Sequence, residues 1–433
     1  MFSFSIVTFG CKVNYAESEV LKKDIMSLGL KDVALSQRPD LVLINSCSVT
    51  NSADNECLKT IRRIIKNNPT VKIIISGCFA KFHKDLVDSE HIIAVFDNHE
   101  KQQVLHFLKD LLSGKELLHS TSCDKYQFYH AYSFMCRARA FLKIQDGCNY
   151  WCSYCIIPQT RGCSRSDSIE SIINDVREIR DAGSKEIVLT GINIGDVGLI
   201  NNKREYTFND LLKAIDKESS VPRIRISSLE PNFINDEFLE IFKSSKNIVK
   251  HLHIPLQSGN DGILRLMRRR YDTAFYRDKI MRIKSISPLC CIGVDVIVGF
   301  PGETEQAFDD TYRFLQELPV AYLHVFPFSV RVNTVAASME GQVPERLKYQ
   351  RVKKLRMLSD EKKGVFYKEN IGTVVEVLFE EEKKCEKMYG YSGNYLRIEA
   401  PYDATLVKNI VSVKVEEITN ECLAHVANIS ILA

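Results

Sequence analysis

Four thiols lie in the segment 141–166, FLKIQDGCNYWCSYCIIPQTRGCSRS, and three of them, Cys148, Cys152 and Cys155, follow a C-x3-C-x2-C spacing. Three thiolates on one short loop can grip a metal centre. They satisfy neither a structural zinc nor a fully ligated iron–sulfur cluster, each of which takes four protein donors. The shortfall is informative: a four-iron cluster on three cysteines leaves one iron open, and an open iron can bind a substrate. A zinc knuckle would need a fourth Cys or His at close spacing. Cys163 lies beyond Pro158 and Gly162, outside the usual interval, and reads as a free side chain. Packing alone rarely places three cysteines within eight residues of a non-secreted chain.

A second set of thiols is dispersed. Cys11 follows Thr8-Phe9-Gly10, Cys47 follows Ile44-Asn45-Ser46, and Cys78 follows Ser76-Gly77. Each stands just after a run that reads as a strand: 5–9, 41–44 and 71–75, with a fourth at 92–96. Helical stretches at 17–28, 53–66 and 100–112 alternate with these runs. Such alternation predicts a doubly wound parallel sheet over residues 1–118. The C-terminal ends of the strands of such a sheet face the ligand crevice. One cysteine at a strand end is an ordinary small hydrophobe. Three at equivalent ends converge on one point and read as a second three-cysteine iron–sulfur site, with Gly10 and Gly77 letting the backbone come close. Cys57, inside a helical stretch, reads as structural.

The elements after the linker 119–135 repeat a strand–helix unit six times. Strands are expected at 141–144, 186–189, 223–226, 251–254, 294–298 and 322–326, and helices near 168–182, 208–217, 235–242, 272–286 and 303–318. This predicts a partial (β/α)6 barrel over 135–370, open on one side, with its chemistry in the loops at the strand C-termini. The first strand leads into Cys148, Cys152 and Cys155. Later ones end in Thr190-Gly191-Ile192-Asn193, Ser227-Ser228-Leu229-Glu230-Pro231, Pro255-Leu256-Gln257-Ser258-Gly259 and Gly299-Phe300-Pro301-Gly302-Glu303-Thr304. Small and polar groups there suit a nucleoside-like ligand, and Tyr154, Ser228, Glu230 and Gln257 are the expected contacts. A long basic helix near 348–369 leads to residues 371–433. Their β runs at 373–379, 395–399 and 411–415 predict a small β-barrel.

Composition sets the frame. The chain has 433 residues, a formal charge of +3, 45% hydrophobic and 26% charged residues, and fourteen cysteines. The charge is too small to argue for nucleic acid unless it clusters. Arg161, Arg165 and Arg268-Arg269-Arg270 form the expected cluster, placed near the barrel mouth. No apolar run is long enough to span a bilayer, and the N-terminus lacks a basic region for a signal peptide. A cytoplasmic location without membrane contact is expected, where many cysteines mean metal or redox chemistry.

The C-x3-C-x2-C spacing, with Tyr154 just before its last cysteine, resembles the radical S-adenosylmethionine (SAM) signature. In that family the open iron chelates the amino and carboxylate groups of SAM, and reduction splits the sulfonium to give a 5′-deoxyadenosyl radical. A three-cysteine N-terminal domain ahead of such a segment is similar to the methylthiotransferases, whose auxiliary cluster holds the sulfur to be transferred. The resemblance covers nearly the whole chain. It implies two 4Fe-4S clusters, with Cys11, Cys47 and Cys78 as ligands of the auxiliary one and Cys148, Cys152 and Cys155 as ligands of the other. It also implies a C-terminal TRAM-like RNA-binding domain and an electron donor such as flavodoxin or ferredoxin.

The stretches IVLTGINIGDVG, RIRISSLEP, HLHIPLQSGND, LMRRRY and GVDVIVGFPGET resemble the branch that acts on threonylcarbamoyladenosine in tRNA. That branch inserts a methylthio group at C2 of the adenine beside the anticodon. The alternatives are the branches acting on isopentenyladenosine tRNA or on a ribosomal-protein aspartate. In a different class stands a non-catalytic RNA-binding protein stabilised by zinc.

Overall fold

The computed structural model describes residues 2–88, 90–114, 127–133, 138–218, 221–384, 386–418 and 424–430. Most of the expected linker 119–135, together with Cys385 and Cys422, lies outside them.

Five parallel strands form the first sheet, in the spatial order Lys31–Asp32, Ser3–Thr8, Leu41–Ser46, Lys72–Gly77, Ile92–Phe96. The short Lys31–Asp32 edge strand has no apolar pattern and was not legible beforehand. The central strands are apolar throughout because both faces are covered. Leu41, Leu43 and Ile74 pack on one face with Leu21 and Ile25 of helix Lys12–Ser27. Val42, Ile44 and Ile73 pack on the other with Ile61 and Ile64 of helix Asn51–Asn67. The strand order reverses between Ser3–Thr8 and Leu41–Ser46, which makes their C-terminal ends the topological switch point. Cys11 and Cys47 follow those two strands.

Six parallel strands make the second body: Arg139–Lys143, Glu186–Thr190, Arg223–Ile226, His251–His253, Cys291–Val298 and Tyr322–Pro327. Two sets of three are joined by bridges between Ile224 and Ile248 and between Ser228 and His253. The first and last strands do not pair, so the partial barrel is open on one side, as its six-unit sequence pattern predicts. A continuous apolar core lies between these strands and their helices. The lumen side of the first two strands, Phe141 and Val188, packs against Ala16 and Tyr15 of the N-terminal domain's first helix.

Helix Glu345–Glu369 lies along the last barrel strand, with Ser359 Oγ accepting from Leu323 N at 2.9 Å. It leads into a closed barrel of Val374–Lys384, Lys387–Ser392, Arg397–Pro401, Ala424–Ser430 and Ile410–Ile418. Two of these strands, Lys387–Ser392 and Ala424–Ser430, were not anticipated. This small barrel sits at the N-terminal ends of the six strands, where Cys291 and Ala321 share a core with Val377, Phe379 and Met388. Arg223 and Arg225 donate to the carbonyls of Tyr391 and Gly393 there, at 3.1 and 3.2 Å. Both cysteine trios lie at the opposite end. No helix among the described residues is long and apolar enough to cross a membrane.

Candidate functional site

Cys11 is the N-cap of helix Lys12–Ser27, and its side chain makes no capping hydrogen bond. Gly10 has φ +91°, and a Cβ there would come within 2.7 Å of Cys47 Sγ. Only glycine lets the two loops meet. Cys78 Sγ accepts from Asn98 Nδ2 at 3.3 Å, and the same amide donates to the Thr160 carbonyl at 3.0 Å. The third cysteine of the dispersed trio is therefore tied to the loop that carries the compact one. Burial pushes the Cys47 thiol up to about 12, with Cys78 and Cys11 adding to it as charged neighbours and a backbone hydrogen bond opposing.

In the compact trio, Tyr150 N donates to Cys148 Sγ at 3.3 Å and Ser153 Oγ donates to the Leu266 carbonyl at 2.7 Å. Gly147 has φ +68°, and a Cβ on it would stand 2.0 Å from the Cys163 carbonyl oxygen. The loop closes only because that atom is missing. Burial raises Cys148 to about 11 and Cys155 to about 12, with Cys152 a further cause for both. Thiols in such places stay neutral near pH 7 until a metal replaces the proton.

Four-coordinate zinc with Zn–S of about 2.3 Å holds its sulfurs about 3.8 Å apart. Among the described residues, His253, Asp295 and His324 alone form a group of three Cys, His, Asp or Glu whose donor atoms lie within 4.8 Å of one another. Neither cysteine trio is drawn that tightly. The donor set of each trio, three thiols, would leave one corner of a four-iron cube for a non-protein ligand.

Between the two loops lies a cavity of about 300 Å³. Val49 and Thr50 come from the Cys47 loop, Tyr154 and Cys155 from the compact trio, and Gln257 and Asp295 from the barrel. Tyr154 is edge-on to Phe300 at 6.4 Å. Gln257 adopts φ +71°, a conformation that costs energy for a side-chain-bearing residue and tends to be kept where function requires it. Of the four expected ligand contacts, Tyr154 and Gln257 line this cavity. Ser228 is bridged to His253 on the neighbouring strand, and Glu230 takes an ion pair from Arg269. On the loops after the second and third barrel strands, both amide atoms of Asn193 and Ser227 Oγ are buried without a hydrogen bond in the protein. Buried polar atoms of this kind call for a partner outside the chain, water or a polar ligand.

Three of the five arginines expected at the barrel mouth do not stand there, while Arg268 and Arg270 are exposed. Arg161 and Arg165 are buried, not presented at a mouth. Arg161 Nη1 binds Asp146 at 2.8 Å and Glu17 at 3.2 Å, and Arg165 Nη2 binds Asp146 at 2.9 Å. Lys101 and Lys143 complete this ionic knot between the first domain and the barrel. Arg269 is also internal: its Nη1 donates to Cys152 Sγ at 3.3 Å while Nη2 binds Glu230. Arg270 stacks over Tyr150 at 3.8 Å. A run of like charges cannot show which of its members will find buried carboxylates, so these roles were hidden. Arg331 was missed for the same reason. It reaches from the loop after the last barrel strand to Ser48, Asn51 and Asp54 at 2.6–2.7 Å and fixes the loop after Cys47.

Comparison with known proteins gives a consistent result. Residues 142–315 match the radical SAM superfamily, and residues 3–97 match a family described as Uncharacterized protein family UPF0004. The chain is 38% identical over 418 residues to the threonylcarbamoyladenosine tRNA methylthiotransferase MtaB of Bacillus subtilis (strain 168), covering 94% of this chain and 92% of that one. It is 33% identical to the protein of the same name from Chlamydia pneumoniae, covering 97% of each. A tRNA-2-methylthio-N(6)-dimethylallyladenosine synthase of Bacillus mycoides (strain KBAB4) is 30% identical over 96% of this chain and 83% of its own. Among solved structures, the radical S-adenosylmethionine methyltransferase TsrM from Kitasatospora setae has the same fold over 78% of this chain and 77% of that one. Its TM-score is 0.55 at 13% identity.

Proposed function

The chain belongs to the radical-SAM methylthiotransferases, and from that premise we propose that it places a methylthio group on C2 of N6-threonylcarbamoyladenosine in tRNA. The observation that supports this reading is the closeness of the two thiol-bearing loops: Val49 and Thr50 after Cys47 line one cavity with Tyr154 and Cys155, and the Asn98 amide joins the Cys78 sulfur to the Thr160 carbonyl. Two 4Fe-4S clusters and SAM are the cofactors. Cys11, Cys47 and Cys78 would hold one cluster, and Cys148, Cys152 and Cys155 the other. Together the bound groups supply a sulfur, a methyl group and a one-electron route to an aromatic C–H bond that is too weakly acidic for a protein base. The relatives named for threonylcarbamoyladenosine run from 32 to 38% identity, against 29 to 30% for those named for dimethylallyladenosine, which favours the first substrate.

The chain's own residues bind, orient and keep the site dry. Tyr154 and Phe300 close one side of the cavity, and Gln257, held by Asp295 through backbone bonds, closes another. Arg269 donates to the Cys152 sulfur and is itself oriented by Glu230 and by Tyr271 Oη at 3.1 Å. Donors to sulfur of this kind stabilise the ligand as thiolate. Asn193 and Ser227 offer unused polar atoms to the amino-acid and ribose groups of SAM. Trp151, exposed beside Cys152, offers a face on which a base of the RNA can stack. The C-terminal barrel is read as TRAM-like, holding the tRNA away from the reacting base. Its Lys387 and Lys408 are paired with Glu399 and Glu381 rather than gathered in a patch. The reading takes flavodoxin or ferredoxin as reductant and the cytoplasm as location.

Nucleoside analysis of tRNA from a strain lacking the protein tests the substrate. Loss of the methylthiolated threonylcarbamoyl nucleoside is expected, and an unchanged level of it rejects the reading. Iron and sulfide analysis after anaerobic purification tests the cofactors: about eight irons per chain are expected. Zinc without sulfide would favour the non-catalytic alternative.

A further inference from the structure

The last barrel strand, Tyr322–Pro327, ends its sheet and pairs with no strand on its outer side among the described residues. Side chains alternate along it, so Leu323 and Val325 enter the outer core while Tyr322, His324 and Phe326 turn the other way, toward the open side of the barrel. These three continue a line of rings. Tyr395 of the C-terminal barrel to Tyr322, Tyr322 to His324 and His324 to Phe326 have centroids 6.3, 5.1 and 6.5 Å apart. His324 and Phe326 are each about half exposed. Phe326 also lines the cavity between the cysteine loops, with Tyr154 and Cys155. At the other end of the line, Tyr322 and His324 share a groove of about 320 Å³ with Asp360 and Lys363 of helix Glu345–Glu369 and with Tyr395 and Arg397 of the small barrel. A row of rings thus leads from that groove to the site.

A row of cations runs beside it. Helix Glu345–Glu369 holds nine Lys or Arg against four Asp or Glu, a larger surplus than the +3 of the whole chain. It is fastened along the strand at two levels: Ser359 Oγ accepts from Leu323 N at 2.9 Å, and Lys348 Nζ donates to the Phe328 carbonyl at 3.2 Å. Toward its N-terminus the helix therefore runs with the strand toward the cysteine loops. Asp360 and Lys363 face the groove, and helical periodicity puts the exposed Tyr349, Lys353 and Arg356 on the same flank. Elsewhere on the helix, Lys348 and Arg351 pair with Glu345 and Glu303, Lys354 pairs with Asp309 at 3.8 Å, and Lys362 donates to the carbonyls of Gln316 and Leu318. Lys353, Arg356, Lys363 and Arg397 take part in no ion pair among the described residues, with Asp360 as the carboxylate beside them. Asp295, on the neighbouring strand, is already covered by His253 and His324 at 2.9 and 3.4 Å.

Unpaired like charges in a row attract a polyanion, and rings with open faces attract bases. A single strand of RNA offers both along one path, whereas an acidic protein would use the cations and leave the rings uncovered. We propose that the anticodon loop of the substrate lies along this free edge, its phosphates on Lys353, Arg356, Lys363 and Arg397 and its bases stacked on His324 and Phe326, on the way to the cavity. The inference rests on the tRNA reading above and adds the path by which the RNA reaches the site. The face of the C-terminal barrel is less suited to the phosphates, since its Lys387 and Lys408 already have carboxylate partners.

The test is equilibrium binding of an anticodon stem-loop carrying threonylcarbamoyladenosine, titrated at several salt concentrations. It uses the cluster-loaded wild type and the variants Lys353→Ala, Arg356→Ala, Phe326→Ala and Lys354→Ala. Lys353→Ala and Arg356→Ala are each expected to weaken binding about 2- to 5-fold and to lower the slope of log K against log salt by about 1. Phe326→Ala is expected to weaken it about 5- to 150-fold at the wild-type slope, since a stacked base releases no counter-ion. Lys354→Ala, on the flank turned to Asp309, should bind as the wild type does. Iron content and melting midpoint check that each variant is folded and loaded. Wild-type affinity and slope in both Lys353→Ala and Arg356→Ala overturn the proposal, as does an equal loss in Lys354→Ala or an unchanged affinity in Phe326→Ala. Flank variants that keep the stem-loop but cleave SAM more slowly with reduced flavodoxin overturn it in favour of an acidic protein partner. A wild type that does not bind the stem-loop overturns the tRNA reading as well, and that outcome is seen before any variant is made.

Discussion

Replacing Glu17 by Gln removes the carboxylate that joins the first domain to the barrel. Its side chain is 2% exposed and accepts from Lys101 of its own domain and from Lys143 and Arg161 of the barrel, the latter two at 2.7 and 3.2 Å. After the substitution Lys101 keeps only the amide oxygens of Asn45 and Asn98, at 3.1 and 3.2 Å. Lys143, Arg161 and Arg165 are left to share Asp146. Breaking a buried pair by removing one partner costs about 3–5 kcal/mol, because an uncompensated charge stays behind. For a cooperative unit of about 150–250 residues, at roughly 2–4 °C per kcal/mol, the melting midpoint should fall by about 6–20 °C.

The same carboxylate sets an acid dependence. Burial alone would raise its pKa, but Arg161, Lys101 and Lys143 outweigh that and hold it well below the usual glutamate range. A folded-state pKa below the unfolded one means the stabilisation is full above the ordinary glutamate pKa and fades as pH falls through it. The wild type should therefore approach the Gln variant between about pH 5 and pH 2. Thermal melts across that range, with Lys101→Met and the double variant closing a cycle, measure the coupling. A Glu17→Gln penalty below about 1 kcal/mol at pH 7 would refute this account of the interface.

Cys78→Ser and Cys152→Ser should each reduce iron from about eight to about four per chain, read by iron and sulfide analysis, since the two trios share no ligand. Gly147→Ala should abolish the cluster of the compact trio and spare the other, because a Cβ meets the Cys163 carbonyl oxygen at 2.0 Å; retention of both clusters would contradict the loop geometry. Arg269→Met removes the donor to Cys152 and leaves Glu230 without its cation. It should lower reductive cleavage of SAM about 10- to 100-fold, measured as 5′-deoxyadenosine formed, and an unchanged rate would remove Arg269 from the site.

By themselves the residues determined the two trios, the alternation of strands and helices, and the six-unit barrel. Cysteine spacing and hydrophobic periodicity are local properties, and strand ends mark where a parallel sheet presents its chemistry. The short strand Lys31–Asp32 and the glycine-bearing strand Lys387–Ser392 escaped because pairing with neighbours, not pattern, makes them strands. Only the tertiary structure decided which charges are spent inside. Arg161, Arg165 and Arg269 read as a phosphate-binding cluster until Glu17, Asp146 and Glu230, distant in sequence, were seen to bury them. A charge is defined by its surroundings, and in a chain of several domains those surroundings come from residues that no local pattern connects.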